Sequence, residues 1–577
     1  MHRFGPATFA TDVDSKLLYH AAVASDHRAI LLLLQPANTE ADARRIDKMA
    51  QDLVGGTGPW GERFGQLTDD FVCAVWDTKR ATLSLARPPL SQIGLFYSRR
   101  LDADLFSTIA PAIATRGAFR FDRMADLRRS GAVRLGSTLT AFDGVLAVAP
   151  GTIVELGPET TTVSPFCSLS PSRLVESDAQ IAGLMRSDLM RSVGRATKDV
   201  CRPVATHLSG GRDSGSVTAA AAVLADQNGQ SVLALTYAPA GGFEQSSEAY
   251  AYDEAESAAQ VAAMYQNIKH LIVRPNGVDL CERLDRRHAW MSMPEAAASS
   301  LPWWDEIERA VADSGARLLL IGAMGNFTLS VGGPWGLNDL FAEKGPIAWY
   351  RAFRQCRGAP GSGTLALLNM SFGAYLPTRI HRLLGWIRGG GARPDPTRYL
   401  RGDLANVRMA TAPYDDMRPP SSQRERVADA IATADFADPS SSMVNGISLR
   451  DPTADRSLAS LILSLDAQRL VSCYDERPLF ARAFADLLPP STLRPEKKGS
   501  QSSDWNLAIC PDALLRGLDR YAQNRTVCRQ IDIEALRQAI REWPRCGPIA
   551  EEVENHYRTE VLPTVALASF IYVHSDI

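Results

Sequence analysis

No run in the chain approaches the roughly 20 consecutive apolar residues that a membrane-crossing helix needs. The apolar stretches Leu31 to Leu34 and Leu318 to Ile321 are only long enough for buried strands. The first residues, Met1-His2-Arg3-Phe4-Gly5-Pro6, hold no apolar signal core. Cysteine is sparse: nine residues, from Cys73 to Cys546, with no C-x-x-C pair. Such a dispersed set predicts buried thiols in a reducing cytoplasm rather than disulfides or a zinc site. Charge of one sign is also lacking. A formal net charge of -3 argues against a general nucleic-acid surface, so no nucleic-acid partner is expected. What remains is ordinary soluble-protein composition, 45% hydrophobic and 22% charged. A chain of 577 residues exceeds what one hydrophobic core serves, and at least two domains are predicted.

The chain is organised around His207-Leu208-Ser209-Gly210-Gly211-Arg212-Asp213-Ser214-Gly215-Ser216. A short apolar run, Val204 to Leu208, precedes it. Val217, Ala221 and Leu224 follow at helical spacing. Strand, tight polar loop and helix make a phosphate cradle: glycines admit an anion close to the backbone, and the amides at the helix start point towards it. The Ser209 and Ser214 hydroxyls add donors. Asp213 is placed to hold the Mg2+ that accompanies ATP. The Gly-Lys-Ser/Thr ending of a Walker A loop is absent.

Upstream, Phe71 to Asp77 and Ala81 to Arg87 predict a β-hairpin, followed by strand-like Gln92 to Tyr97 and Val148 to Ile153. Residues from Gly157 to about Asp178 are rich in Pro, Ser and Thr and predict a linker; Ile181 to Ala196 then has helical spacing. Downstream, Ser231 to Tyr237 predicts a strand whose C-terminal end lies beside the loop, where open α/β sheets bind ligands. Adenine contacts are expected near Thr236 to Ala238. Asp253-Glu254 opens a helix, where acidic residues complement the dipole with or without a catalytic role. Trp303-Trp304 heads another helix and reads as core. Ala316 to Ile321 predicts a strand ending in Gly322-Ala323-Met324-Gly325-Asn326. In residues 333 to 450, helical pieces such as Ile347 to Arg354 are punctuated by Gly358 to Gly363, Gly389 to Gly391 and Ser440 to Ser442, which predict loops around a substrate cavity.

The S-G-G-x-D-S loop resembles the pyrophosphatase loop of the ATP-using amide-forming enzymes typified by asparagine synthetase. Asn326 after G-x-x-G, Asp451-Pro452-Thr453-Ala454-Asp455-Arg456, and Lys498-Gly499-Ser500-Gln501-Ser502-Ser503-Asp504 resemble the lasso peptide cyclases (macrolactam synthetases) of the asparagine synthetase B-like family. The resemblance implies an α/β fold in two parts. The first is an N-terminal glutaminase-like (Ntn-type) α/β/β/α sandwich over 1–165. A linker over 166–180 leads to an adenine-nucleotide α-hydrolase-like (PP-loop ATP pyrophosphatase) synthetase domain over 181–577. Glutaminase activity is not expected: His2 stands where the family has its nucleophilic cysteine, Pro88 replaces the acidic residue after Ala86-Arg87, and Cys73 falls inside a strand.

The resemblance also assigns roles. Leu208, Ser209, Gly210, Gly211, Asp213, Ser214, Thr236, Tyr237 and Gly322 would bind ATP and pyrophosphate. Asp213 and Asn326 would hold Mg2+. Asp455 and one of Lys497 and Lys498 would serve catalysis. Glu496 occupies the family's usual lysine position, and Gly499 favours Lys498. The implied reaction adenylates an Asp or Glu side chain of a ribosomally made precursor peptide, which the peptide's own N-terminal amine attacks. A leader peptidase and a leader-binding protein would be partners. Amidation of a small molecule, as by asparagine or β-lactam synthetases, is the alternative, and a non-enzymatic scaffold is the reading from a different class.

Overall fold

The computed structural model describes the chain apart from residues 1, 5–6, 10–18, 25–27, 35–39, 56–62, 65–69, 131–137, 139, 167–168, 170–175, 199–202, 244–246, 248–249, 276, 358–362, 377–394, 407–421, 434–438, 474–476, 546–548 and 576–577. The fold is mixed α/β. The expected hairpin forms: Phe71–Asp77 pairs antiparallel with Thr82–Arg87. Asp77 closes its turn by accepting from the amides of Lys79 and Arg80 at 3.0 and 3.1 Å. Because side chains alternate along a strand, Phe71, Cys73 and Val75 face the helix Glu40–Gly55, while Val72 and Ala74 face a second sheet. Burial pushes the Cys73 thiol well above its ordinary pKa, so it has the character of a core residue.

The hairpin sits in a six-stranded antiparallel sheet that ends with Thr152–Leu156 and Thr161–Pro165. A three-stranded sheet of Phe96–Arg99, Asp104–Ser107 and Leu146–Ala147 packs against it through Leu95, Tyr97 and Val148. The helix Phe121–Ser130 lies beyond, with Met124 and Ala125 in a core shared with Phe96. The Pro/Ser/Thr-rich stretch therefore departs from the linker expectation at both ends. Residues 161–165 form an edge strand, registered Thr161 to Leu156 through Pro165 to Thr152. The next helix begins at Asp178, because Ser177 and Gln180 form a reciprocal capping box.

The second part is built on a five-stranded parallel sheet in the order Ile268–Val273, Val232–Tyr237, Val204–His207, Leu318–Leu320, Ser448–Arg450. The helix Arg212–Asp226 crosses it with Ala219 to Ala222 all buried, small side chains that let helix and sheet approach closely. Within 333–450, helices Gly336–Cys356, Thr364–Phe372 and Gln423–Thr433 form, the first of them containing the helical piece expected at Ile347 to Arg354. Gly389 to Gly391 and most of Gly358 to Gly363 lie outside the described residues. The cysteine expectation is corrected: Cys356 and Cys473 form a disulfide across 117 residues of sequence. The end of helix Gly336–Cys356 packs beside the turn after Leu470, bringing together two thiols that sequence spacing keeps far apart. No helix among the described residues is long and apolar enough to cross a membrane.

The two parts share packing. After Pro88-Pro89, Leu90 adopts a left-handed backbone (φ 60°) and its side chain enters the core of the second part, to which Leu458 and Phe484 also belong. Two residues on, the Gln92 carboxamide brackets the Asp451 backbone, donating to its carbonyl at 3.2 Å and accepting from its amide at 2.7 Å. A left-handed backbone is unfavourable for leucine, so the burial it secures is the reason it persists. Leu90→Ala is expected to lower the free energy of urea unfolding by about 2–5 kcal/mol. A change under about 0.5 kcal/mol, the range of an inconsequential surface substitution, would show that the two parts do not depend on this contact.

Candidate active site

The loop after strand Val204–His207 is wound on itself by its serines. The Ser209 amide donates to the Ser214 hydroxyl at 3.0 Å, the two hydroxyls lie 2.8 Å apart, and the Gly211 amide donates to the Ser209 hydroxyl at 3.1 Å. The helix Arg212–Asp226 starts at Gly211 without a side-chain cap, leaving its first turn open to an anion. The Gly210 amide donates to the Glu254 carboxylate. Glu254 thus lies against the backbone amide that a phosphate cradle would present, and burial raises its pKa to about 7.

Asp213 is the most constrained group in the site. The Ser330 hydroxyl donates to its Oδ2 at 3.0 Å, while Oδ1 is buried with no partner. Burial raises its pKa to about 7, with the neighbouring Asp451 adding to the rise. The G-x-x-G after strand Leu318–Leu320 has a steric cause here. A Cβ at Gly322 would lie 2.9 Å from the Asp213 carbonyl carbon, and one at Gly325 would land on its carboxyl group. Asp451 fastens this turn: it accepts from the Met324 amide at 2.7 Å and from the Thr453 amide at 2.8 Å, and burial raises its pKa to about 6. An unpartnered buried carboxylate oxygen is what a hard cation such as Mg2+ satisfies, so Asp213 fits that role.

The C-terminal loop closes the site from the other side. Lys498–Gly499 pairs in parallel with Tyr250–Ala251, and a side chain at Gly499 would collide with the Glu254 carboxylate. Asp504 accepts from the Tyr237 hydroxyl at 2.9 Å and from the Ala240 amide at 2.8 Å, tying the loop to the end of strand Val232–Tyr237. Between these parts lies a small cavity of about 20 Å³ walled by Ser209, Thr236, Tyr237, Glu254, Trp303 and Ser502. His207 also lines it, 6% exposed, its ring 5.1 Å from that of Trp303. Burial lowers the His207 pKa to about 4, so the imidazole is neutral near pH 7.

Of the residues singled out from the sequence, Leu208, Ser209, Thr236 and Tyr237 line this cavity. Gly210, Gly211 and Ser214 lie behind that lining, bonded to Glu254 and Ser209, whereas Asp213 and Gly322 are not among the lining residues. Thr236 donates to the Leu208 carbonyl at 2.7 Å, so its hydroxyl joins adjacent strands. Asn326 is exposed, in the short helix Gly325–Thr328. Lys497 and Lys498 are exposed at the rim, and Lys497 Nζ donates to the Ser247 carbonyl at 2.8 Å. Asp455 lies away from the cavity: its carboxylate caps helix Arg456–Leu463 through the amides of Ser457 and Leu458, at 2.8 and 3.1 Å, and pairs with Arg195. Sequence reasoning passed over Asp451, Asp504 and His207 as site residues, left Glu254 open between a helix-end and a catalytic role, and read Trp303 as core. Nothing local marked the cavity face of Trp303, which is buried and lines the cavity at once.

Residues 184–570 match the family described as asparagine synthase. A stretch of 168 residues is 29% identical to asparagine synthetase [glutamine-hydrolyzing] 3 of Bacillus subtilis (strain 168), spanning 28% of this chain and 27% of that relative. The chain thus matches about a quarter of the relative's length. Among solved structures, the glutamine phosphoribosylpyrophosphate amidotransferase from B. subtilis complexed with ADP and GMP shares 11% identity, with 54% of this chain and 73% of that one covered at a TM-score of 0.17. A structure described as the allosteric regulatory enzyme of purine biosynthesis shares 12% identity, covering 54% and 72%, also at 0.17. At that TM-score neither likeness bears on fold or function.

The buried carboxyl of Asp213 sets a dependence on pH. Its folded pKa is raised from 3.8 to about 7, so its contribution to stability is full below about pH 4 and lost as pH rises through about 7. Holding the carboxylate ionised at about pH 8 costs on the order of 4 kcal/mol. Asp213→Asn keeps the size and removes the charge. Measured by urea unfolding without ligand, the variant is expected to be more stable than wild type at about pH 8 and to lose less stability between about pH 4 and 7. It should no longer gain stability from ATP with Mg2+. A variant less stable than wild type at about pH 8 would contradict the account.

Proposed function

The chain belongs to the asparagine synthase family, and from that premise we propose that it is an ATP-dependent carbon–nitrogen ligase that closes a macrolactam in a ribosomally made lasso peptide precursor. The observation carrying the ligase reading is the convergence of separated sequence blocks on the loop at 209–214: the C-terminal loop held by Asp504 shares a cavity with Ser209, and the G-x-x-G turn held by Asp451 packs against Asp213. The lasso reading rests on the latter two blocks, whose D-P-x-x-D-R and K-G-x-Q-x-x-D patterns resemble the cyclases.

In this reading a carboxylate oxygen of the peptide's Asp or Glu attacks the α-phosphorus of ATP, and pyrophosphate leaves. The N-terminal amine of the same peptide then attacks the acyl-adenylate, forming the amide and releasing AMP. Ser209, Ser214 and the amides of Gly210 and Gly211 cradle the phosphates, with Glu254 giving up the Gly210 amide as they arrive. Asp213 Oδ1 would hold Mg2+, which supplies neutralisation of triphosphate charge. Lys497 or Lys498 reaches in from the rim to the departing phosphates. General-base demand is light, since an N-terminal amine of pKa about 7.7–8.0 is roughly a tenth neutral at pH 7. Holding amine beside adenylate supplies on the order of 7–11 kcal/mol through proximity. The peptide is expected to arrive with its leader-binding protein after, or together with, cleavage by its leader peptidase.

Incubating the protein with a candidate precursor core, ATP and Mg2+ is expected to give a product lighter by one water, with AMP and pyrophosphate in equal amounts, by mass spectrometry and nucleotide chromatography. Release of ADP would defeat the ligase chemistry. Conversion of free aspartate with ammonia or glutamine to asparagine, without cyclised peptide, would defeat the lasso reading while retaining the ligase.

A further inference from the structure

We propose that Ser502 is a phosphate-binding residue of the ATP site, its hydroxyl donating to a phosphate oxygen of the bound nucleotide. Three observations meet at this residue. It lines the cavity together with Ser209 and Glu254. Its side chain is buried, 4% exposed, with an Oγ that has no hydrogen-bond partner. Its backbone takes the left-handed conformation at φ 57°, which a non-glycine residue adopts only under constraint.

The constraint is visible on both sides. Gly499 is held against Glu254 in the short parallel pairing with Tyr250–Ala251, and Asp504 is held by the Tyr237 hydroxyl and the Ala240 amide. Between these anchors Ser500 and Ser503 satisfy each other, their hydroxyls 2.9 Å apart. Ser502 alone of the three faces the cavity without a bond. A buried hydroxyl left unpaired and a strained backbone both work against the fold. Glycine at this position would remove both costs, which makes the serine intelligible as a ligand contact rather than a structural one. A serine hydroxyl placed near the loop at 209–214 matches a phosphate oxygen, which is a charged acceptor and strengthens such a bond.

The proposal rests on the cavity being the ATP site, and the test separates the two. Wild type, Ser502→Ala and Ser502→Gly are compared for urea unfolding without ligand and for calorimetric binding of ATP with Mg2+, pyrophosphate with Mg2+, and adenosine. Both variants are expected to be at least as stable as wild type, with Ser502→Gly the more stable because it also relieves the backbone. Each should bind ATP and pyrophosphate on the order of 10-fold more weakly while adenosine binding is unchanged. Wild-type affinity of both variants for ATP and pyrophosphate would overturn the role of Ser502 alone. So would a loss of unfolding stability in both, which would make the hydroxyl structural. Failure of the wild type to bind ATP at all would overturn the reading of the cavity and the role of Ser502 with it.

Discussion

A single carboxylate in a place that suits a carboxylate poorly organises the synthetase half of this chain. Asp213 is partly buried, one oxygen bonded to Ser330 and the other enclosed with no partner. Its backbone occupies the volume that a residue larger than glycine would need at 322, and its side chain the volume needed at 325. The turn between those glycines is pulled back by Asp451, itself a buried acid. Burial raises the pKa of both acids and Asp451 adds to the rise at Asp213, an arrangement that favours the protonated fold. The fold carries this unfavourable pair at the mouth of a parallel sheet, where its other groups are well packed.

Asp451 is also where the N-terminal part acts on the site. Gln92 holds the Asp451 backbone from both sides, and Leu90 anchors the segment carrying Gln92 in the second core. A mechanical path therefore runs from the antiparallel sheets through Gln92 and Asp451 to Met324 and the turn that walls Asp213. On this account the N-terminal part contributes rigidity to the turn that walls Asp213, and its usefulness does not require that it catalyse anything of its own.

The parts of this arrangement that were legible in the sequence are those encoded in contiguous residues. The loop at 209–214 combines two glycines, two hydroxyls and an acid within one turn, and the parallel strands around it are short apolar runs. Asp455 shows the limit of that kind of reading. In D-P-x-x-D-R both acids look equally available, but the second immediately precedes a helix, and N-capping takes its carboxylate. The first is left to face the turn at Met324. The disulfide was invisible for a different reason. Cys356 and Cys473 are joined by packing of a long helix against a distant turn, and neither neighbourhood carries a local sign of the other. His207 and Trp303 were hidden because residues on the cavity face and residues in the core follow the same apolar pattern.

The hydrogen bonds of the loop indicate where a nucleotide gains most. Ser209, Ser214 and the amides of Gly210 and Gly211 all have partners within the protein, so a phosphate meeting them exchanges one bond for another. Such an exchange yields roughly 0.5–1.5 kcal/mol per bond at best, rising when the acceptor is charged. The polar atoms with nothing to give up are few among the described residues around the cavity, and Asp213 Oδ1 and Ser502 Oγ are two of them. A group that is already buried and unpartnered has borne its desolvation cost during folding, so a ligand that satisfies it keeps nearly the whole of the new interaction. Cation and phosphate recognition should accordingly be concentrated at these two atoms, one on the loop and one on the closing segment. A nucleotide bridging them would join the two sides of the site, with shape and aromatic contact from Trp303 and His207 left to orient what lies between.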